Sequence, residues 1–348
     1  MKTVNVSASK KYEVLIGKGI LADAGKFVCK VKKNCKAAII SDDRVFSIYG
    51  ETVKKSLELS GFSTCSFAFE NGEKSKNLKT YAEILDFLTE NKISRTDIIV
   101  ALGGGVVGDV AGFCAATYLR GIDFVQMPTT LLAAVDSSVG GKTAVDLPGG
   151  KNLVGAFHQP SLVVCDTDAF TTLDNRQLSC GMAEVIKYAV MCDNELFCLL
   201  EKSGTIDYAE LVERCVSIKR DIVENDEFDN GERKLLNLGH TLGHAIEKHS
   251  DFNLTHGEAV AVGLVKICNL SEKYGYSKEN LTQRICAVLE KYGLPTEYEI
   301  TSKELYSIAT GDKKVESGTI TLVIPENIGK CRLEKMTLSE FAKMLGAN

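Results

Sequence analysis

Between residues 36 and 166 the chain repeats one pattern, in which short apolar runs alternate with helical stretches. Lys36-Ala-Ala-Ile-Ile-Ser41, Ser63 to Phe69, Asp97-Ile-Ile-Val-Ala-Leu102, Phe124-Val-Gln-Met127 and Leu162-Val-Val-Cys165 read as strands. Val45 to Leu59 and Asn77 to Glu90 read as helices. Most of these strands are apolar throughout rather than alternating, so both of their faces must be covered. Strands of that kind, separated by helices, predict a mainly parallel sheet with helices on either side. Residues 2–7 and 12–16 alternate more and predict a hairpin at the sheet edge.

From about residue 174 helical periodicity takes over, in Asn175 to Tyr188, Asp207 to Glu224, Lys234 to His249, Glu258 to Tyr274 and Leu281 to Tyr292. A short strand pair is expected near Pro325. The fold class expected is α/β. Residues 1–170 form a nucleotide-binding domain with a mainly parallel sheet, and residues 171–348 form an all-helical metal- and substrate-binding domain. A chain of 348 residues is long enough for two such cores.

Composition excludes several classes. A net charge of −5 argues against nucleic-acid partners and anionic membranes. No apolar run approaches the roughly 20 residues needed to span a bilayer. Met1-Lys-Thr-Val-Asn-Val-Ser has no signal-peptide core, which points to the cytoplasm. The 12 cysteines are scattered without a Cys-x-x-Cys pair, and Cys114 and Cys165 sit in apolar company. They read as reduced thiols rather than disulfides or a cysteine-ligated metal.

Two glycine-rich stretches carry the first chemical signal. Gly103-Gly-Gly-Val-Val-Gly108-Asp109 has G-x-G-x-x-G spacing after a strand. Glycines let a backbone approach phosphate, and the next helix N-terminus offers free N–H groups. The usual acidic partner would be Asp123, but it stands at the start of a strand and suits ribose poorly, so the nucleotide site has a non-standard layout. Gly140-Gly-Lys142-Thr resembles a P-loop, yet Asp136 occupies the place of the required glycine. Lys142 and Lys151, on glycine-rich loops, suit an anion such as phosphate or carboxylate.

The second signal is histidine. The chain has 5, and His240, His244, His249 and His256 stand close together. Neutral imidazole ligates zinc-like ions and moves protons near neutral pH. His240 and His244 share a helix face. Catalytic zinc commonly takes three protein ligands, one often a carboxylate. His240 and His256 are candidates, and Glu184, in an otherwise apolar helix start, is the candidate third. Gly239 and Gly243 signal close packing or ligand approach rather than a solvated face for His240, His244 and Glu247. His158 and His249 read as incidental.

Taken together, Gly103–Asp109, Tyr118-Leu-Arg120-Gly, Pro128–Lys142, Gly149–Asn152, Gly181–Tyr188, Leu236–Glu247 and His256-Gly-Glu resemble the 3-dehydroquinate synthases, over about Ser41 to Gly329. The resemblance implies an NAD-dependent, divalent-metal-dependent homodimeric lyase of the shikimate pathway, with zinc or cobalt at the metal site. It implies metal ligation by Glu184, His240 and His256, with His244 handling protons and contacting phosphate. It assigns NAD contacts to Asp42, Asn71, Gly72, Glu73, Lys74, Ser75, Lys76, Gly105, Val106, Val107, Gly108, Asp109, Thr129, Thr130, Lys142, Lys151, Ala169, Phe170, Thr171 and Thr172. Asn71 stands where the family more often has Asp. Substrate contacts fall on Asp136, Lys142, Asn152, Lys187, Lys219, Arg233, Asn237, His244 and one lysine of Asp312-Lys313-Lys314, with Lys313 the choice. Arg120 is implied to reach into the partner subunit's site.

The implied reaction converts 3-deoxy-D-arabino-heptulosonate 7-phosphate to 3-dehydroquinate and phosphate. C5 is oxidised by NAD, the C6 proton is lost and phosphate leaves C7. The hydride then returns, the ring opens and an aldol step closes the carbocycle. The two anionic groups of the substrate account for the many Lys and Arg positions. Competing readings are a related sugar-phosphate cyclase of aminocyclitol biosynthesis, a metal-dependent polyol dehydrogenase, and a non-catalytic nucleotide- or metal-binding regulator. Asn237 and Asp312-Lys-Lys favour the synthase over the cyclases, and a polyol dehydrogenase would lack the cluster of lysines.

Overall fold

Nine strands account for the first part of the chain: β1 (Lys2–Ser7), β2 (Lys11–Gly17), β3 (Lys36–Asp42), β4 (Ser63–Phe69), β5 (Ile98–Gly103), β6 (Asp123–Pro128), β7 (Lys142–Leu147), β8 (Gly150–Phe157) and β9 (Leu162–Asp166). Seven make one sheet in the order β1-β2-β9-β6-β5-β3-β4, parallel except for the β1–β2 hairpin, which lies at the edge as the alternation requires. The computed structural model describes residues 1–202, 204, 207–311, 315–316 and 318–347, with 315 and 316 described by backbone alone.

Successive residues of β5 feed opposite cores. Ile98, Val100 and Leu102 pack on one face with Ile39, Met127 and Val164. Ile99 and Ala101 pack on the other with Ile40, Phe124 and Val110. A strand whose residues are apolar at every position is therefore covered on both sides, which explains the unbroken apolar runs. Register pairs Ser41 with Leu102 and Gly103 with Pro128. The carboxyl ends of β3, β5 and β6 thus lie side by side, the usual ligand edge of an open parallel sheet.

The stretch 142–157, read as glycine-rich loops, folds as an antiparallel hairpin, β7 against β8, turning at Leu147 and Gly150. The chain divides into two compact units: Met1–Leu173 with Asp207–Phe228, and Asp174–Ile206 with Asp229–Asn348. Helix Tyr208–Asn225, expected in the helical half, belongs to the first unit. It anchors the edge strand there: Lys2 Nζ donates to Glu213 at 2.6 Å and the Ser7 N–H to Glu224 at 2.6 Å.

The second unit is mainly helical, with helices Asn175–Cys192, Asn194–Glu201, His240–His249, His256–Lys273, Leu281–Lys291, Ser302–Thr310 and Leu338–Leu345. It is not all-helical. The closing strand pair is a ladder of Thr319–Asn327 with Lys330–Thr337. The helix expected over Lys234 to His249 is broken: a 3₁₀ turn, Glu232–Asn237, precedes Gly239 at φ 75°, and the α-helix starts at His240. No helix among the described residues is long and apolar enough to cross a membrane.

Candidate active site

The second unit gathers the histidines by backbone contact between helices. A Cβ on Gly263 would meet the Gly239 carbonyl oxygen at 2.2 Å and the Gly243 nitrogen at 2.6 Å. Helices His240–His249 and His256–Lys273 therefore touch with no side chain between them, as the glycine spacing anticipates. A Cβ on Gly257 would meet the Cys180 carbonyl oxygen at 2.4 Å, which seats the start of the same helix on Asn175–Cys192. Thr255 and Glu258 form a capping box, so His256 is the first helical residue. Arg176 holds the same Glu258 with two hydrogen bonds of 2.7 and 2.6 Å.

The result is a three-residue convergence. His240 Nε2 and His256 Nε2 each lie 3.3 Å from Glu184 Oε1. Glu184 is fully buried, and Lys187 Nζ lies 2.5 Å from its other oxygen. Burial works to raise the Glu184 pKa, but the Lys187 ammonium and then His240 outweigh it and hold the carboxyl well below the usual range. Burial likewise works against a charge on His256, yet the Glu184 and Glu247 carboxylates push its pKa up to about 9. Burial dominates at His240 and lowers it. The donor set of one carboxylate and two imidazoles has its ligand atoms within 4.8 Å of one another. It fits a divalent ion such as zinc with a coordination position left over.

His244 stands beside this group, its ring centroid 5.3 Å from that of His240 and 5.7 Å from that of His256. It belongs to a second possible ligand group with Glu247 and His256. Arg233, from the 3₁₀ turn, is 1% exposed, and Lys187 is also 1% exposed. Buried cations of this kind are rare unless paired. Asn237 Nδ2 donates to the Lys234 carbonyl at 3.2 Å. Lys313 lies outside the described residues. His249, read as incidental, has Nδ1 2.9 Å from the Tyr298 hydroxyl and takes no part in either group.

The first unit holds the glycine loop at the carboxyl end of β5. Gly104 precedes helix Gly105–Thr117 with no side-chain cap, so its first N–H groups are available to an anion. Val106 and Val107 follow in the first turn. A Cβ on Gly108 would meet Gln126 Oε1 at 2.6 Å, so this position allows the helix to lie on β6. Asp109 is half-buried, and desolvation raises its pKa against the pull of Lys76. Lys76 Nζ bridges Asp109 and Asn152, 2.6 Å to each. Thr129 donates its N–H to the Gly103 carbonyl at 2.9 Å, and its hydroxyl is buried without a partner. The Thr130 hydroxyl accepts from the Ala133 N–H at 3.2 Å.

Asp42 ends β3 and accepts the Val45 N–H at 2.8 Å. Both nitrogens of Asn71 donate to Asp43 at 3.1 Å, so the amide at this position serves as a donor. Gly72 has φ 111° before the turn Glu73–Ser75, which includes Lys74, and Glu73 pairs with Lys151 at 3.3 Å. Ala169, Phe170, Thr171 and Thr172 form a 3₁₀ turn after β9, held by the Tyr49 hydroxyl, 2.8 Å from that of Thr172. Lys219 donates to the Asp136 carboxylate at 2.6 Å and to its carbonyl at 2.8 Å. Lys142 opens β7, and Asn152 sits in β8 at φ 54°. Arg120 is exposed, and both it and Leu119 have positive φ, 70° and 51°. Asp123 lies at the opposite edge of the sheet from Gly103, held by Lys10 and Lys32 at 2.6 Å each. It is unavailable to a ribose at the glycine loop, as its strand position implied.

Comparison with known proteins accounts for the whole chain. Residues 66–180 match the model of the 3-dehydroquinate synthase N-terminal domain and residues 181–315 that of its C-terminal domain. The chain belongs to the 3-dehydroquinate synthase family. The 3-dehydroquinate synthase of Clostridium acetobutylicum is 45% identical over 355 residues, covering 99% of each chain. Among solved structures, 2-epi-5-epi-valiolone synthase from Streptomyces hygroscopicus, with NAD+ and Zn2+ bound, superposes with a TM-score of 0.88 at 27% identity, covering 98% of each chain. A 2-deoxy-scyllo-inosose synthase complexed with carbaglucose-6-phosphate, NAD+ and Co2+ gives 0.84 at 25% identity, covering 99% of each chain. As a member of the 3-dehydroquinate synthase family the chain is an enzyme, and its fold is shared with the sugar-phosphate cyclases.

Two features of these groups go beyond the sequence pattern. The resemblance assigns Lys76 to cofactor, yet it also fixes Asn152. Glu247 was read only as part of a helix face, although it is 4% exposed. A carboxylate at helical spacing from two histidines is the signal for it.

Proposed function

We propose that the chain converts 3-deoxy-D-arabino-heptulosonate 7-phosphate to 3-dehydroquinate and phosphate, with NAD and a divalent metal as cofactors. The observation that carries this reading is the convergence of His240 and His256 on the buried Glu184, in a chain 45% identical to a 3-dehydroquinate synthase. When bound, NAD would supply a reversible hydride acceptor and the metal, zinc by the donor set, a Lewis acid at the oxygen on the carbon that is oxidised.

The residues divide the remaining work. Lys142, Lys187, Lys219 and Arg233 neutralise the carboxylate and phosphate of the substrate, Arg233 through a planar fork suited to carboxylate. Asp136, Asn152 and Asn237 orient its hydroxyls, and Lys76 keeps Asn152 in place. His244 carries protons near the phosphate. The turns at Gly105–Asp109, Asn71–Lys76, Thr129–Thr130 and Ala169–Thr172 hold NAD. The metal ligands are Glu184, His240 and His256. The active form is a homodimer, and the exposed Arg120 on its positive-φ turn reaches the partner's site.

Phosphate release from the heptulosonate phosphate, with NAD far below substrate, tests the reading. Many turnovers per NAD and a dehydroquinate product are expected. Stoichiometric NADH would indicate a dehydrogenase instead. Turnover only with a hexose or heptulose monophosphate that lacks the carboxylate would indicate an aminocyclitol-type cyclase.

A further inference from the structure

We propose that Glu247 is a positioning residue for the metal site. Its carboxylate holds the Nδ1 side of His256 so that Nε2 faces Glu184 and His240. This rests on the reading of Glu184, His240 and His256 as metal ligands.

A histidine ligand binds through one ring nitrogen and donates the other N–H to an acceptor, which fixes its tautomer and its plane. His240 meets this need from its own backbone: its Nδ1 donates to the Leu238 carbonyl at 3.0 Å. That leaves Nε2 directed at Glu184. His256 is the first residue of its helix and uses no carbonyl in this way. The acceptor facing its Nδ1 is Glu247 Oε2, at 3.7 Å, while its Nε2 lies 3.3 Å from Glu184. The ring thus lies between two carboxylates, one facing each nitrogen.

Glu247 reaches that place by helix geometry. It lies two turns beyond His240, so both project from one stripe of helix His240–His249. At 4% exposure the carboxylate has given up water, a cost met only where it has charged or hydrogen-bonding partners. Glu247 also groups with His244 and His256 as possible ligands. In that arrangement His256 would coordinate through Nδ1, and its Nε2 would be left as a hydrogen-bond partner of Glu184. The equal 3.3 Å approaches of two Nε2 atoms to one Glu184 oxygen favour the first group and leave Glu247 as support.

The test uses the full-length enzyme loaded with cobalt or zinc, in Glu247→Ala, Glu247→Gln and His256→Ala forms. Zn2+ affinity is read by competition with a chromophoric chelator, and ligand geometry by the visible spectrum of the Co2+ form. Glu247→Ala is expected to weaken Zn2+ binding about 10–100-fold and to change the Co2+ spectrum. Glu247→Gln retains an acceptor and should lose only a few-fold, with a smaller spectral change. NAD affinity should stay at the wild-type value in both. Wild-type Zn2+ affinity and spectrum in both Glu247 variants would overturn the proposal. So would metal loss in Glu247→Ala as complete as in His256→Ala, which would make Glu247 a ligand. Should Glu247→Ala fail to fold, the near-isosteric Glu247→Gln carries the test alone. Normal metal binding by His256→Ala would instead overturn the ligand reading beneath it.

Discussion

Lys187 and Glu184, one helical turn apart, form an ion pair of 2.5 Å, and neither is more than 1% exposed. An ion pair so deep adds little net stability, because desolvation offsets much of its attraction. Its removal should nonetheless be costly. Lys187→Met is expected to destabilise the metal-free protein by about 3 kcal/mol, because it strands a buried carboxylate. It should also raise the pKa of Glu184, whose depression rests first on Lys187. Urea unfolding at pH 7 checks this, and a loss below about 1 kcal/mol would show that the pair is dispensable.

His244→Ala should keep its metal and lose most turnover, by about 10²–10⁴-fold. His244 borders the Glu184, His240 and His256 group without belonging to it, and its ring is partly exposed. Metal content, melting temperature and phosphate release belong on one preparation. Full turnover with full metal would refute the proton-handling role, and metal loss would make His244 a ligand.

Gly105→Val should weaken NAD binding strongly while the fold survives. A Cβ there already meets Ser137 Oγ at 3.2 Å, and branching would occupy the approach to the helix N-terminus. Calorimetric titration with NAD, beside a circular dichroism spectrum, gives the answer. Unchanged affinity in a folded variant would remove this loop from the cofactor site.

Asp123 gives a pH signature remote from the glycine loop. Burial would raise its pKa, but hydrogen bonds from Lys10 and Lys32 hold it well below the ordinary carboxylate value. A depressed carboxyl contributes stability above its unfolded pKa of about 3.9, and this is lost as pH falls through the folded value. Asp123→Asn should therefore be less stable than wild type at pH 7, by roughly 1 kcal/mol or less given its solvent exposure, and the gap should close below pH ~4. A gap that stays constant from pH 7 to pH 3 would contradict the assignment.

The sheet was legible because its strands are buried on both faces, so composition alone marks β3, β5, β6 and β9. The β7–β8 hairpin was not. Its residues are half exposed and rich in Gly and Lys, and its ladder shifts register between Val145 and Leu147. Helix Tyr208–Asn225 was legible as a helix, but an apolar stripe of Leu211, Val212, Cys215 and Val216 does not say which core it joins. The break at Gly239 was masked by continuous periodicity on either side of it. His256 could have been placed as a helix start from Thr255-x-x-Glu258, a signature present in the sequence. Of the 12 cysteines, none is in a disulfide, as expected, but only Cys114, Cys165, Cys215 and Cys268 are buried. Histidine density marked His240 and His256, whereas Glu247 was lost in a stripe that periodicity cannot tell from a solvated one.

The contact of Gly263 with Gly239 and Gly243 makes main chain, not side chains, the spacer that sets how far apart the histidine-bearing helices stand. Side-chain cores can drift through many compensating swaps of similar volume. A main-chain spacer has no such latitude, since the smallest change available, one methyl group, already exceeds the gap. Over evolutionary time these silent positions should therefore be as immobile as the histidines they space, although none of them carries a donor atom on its side chain.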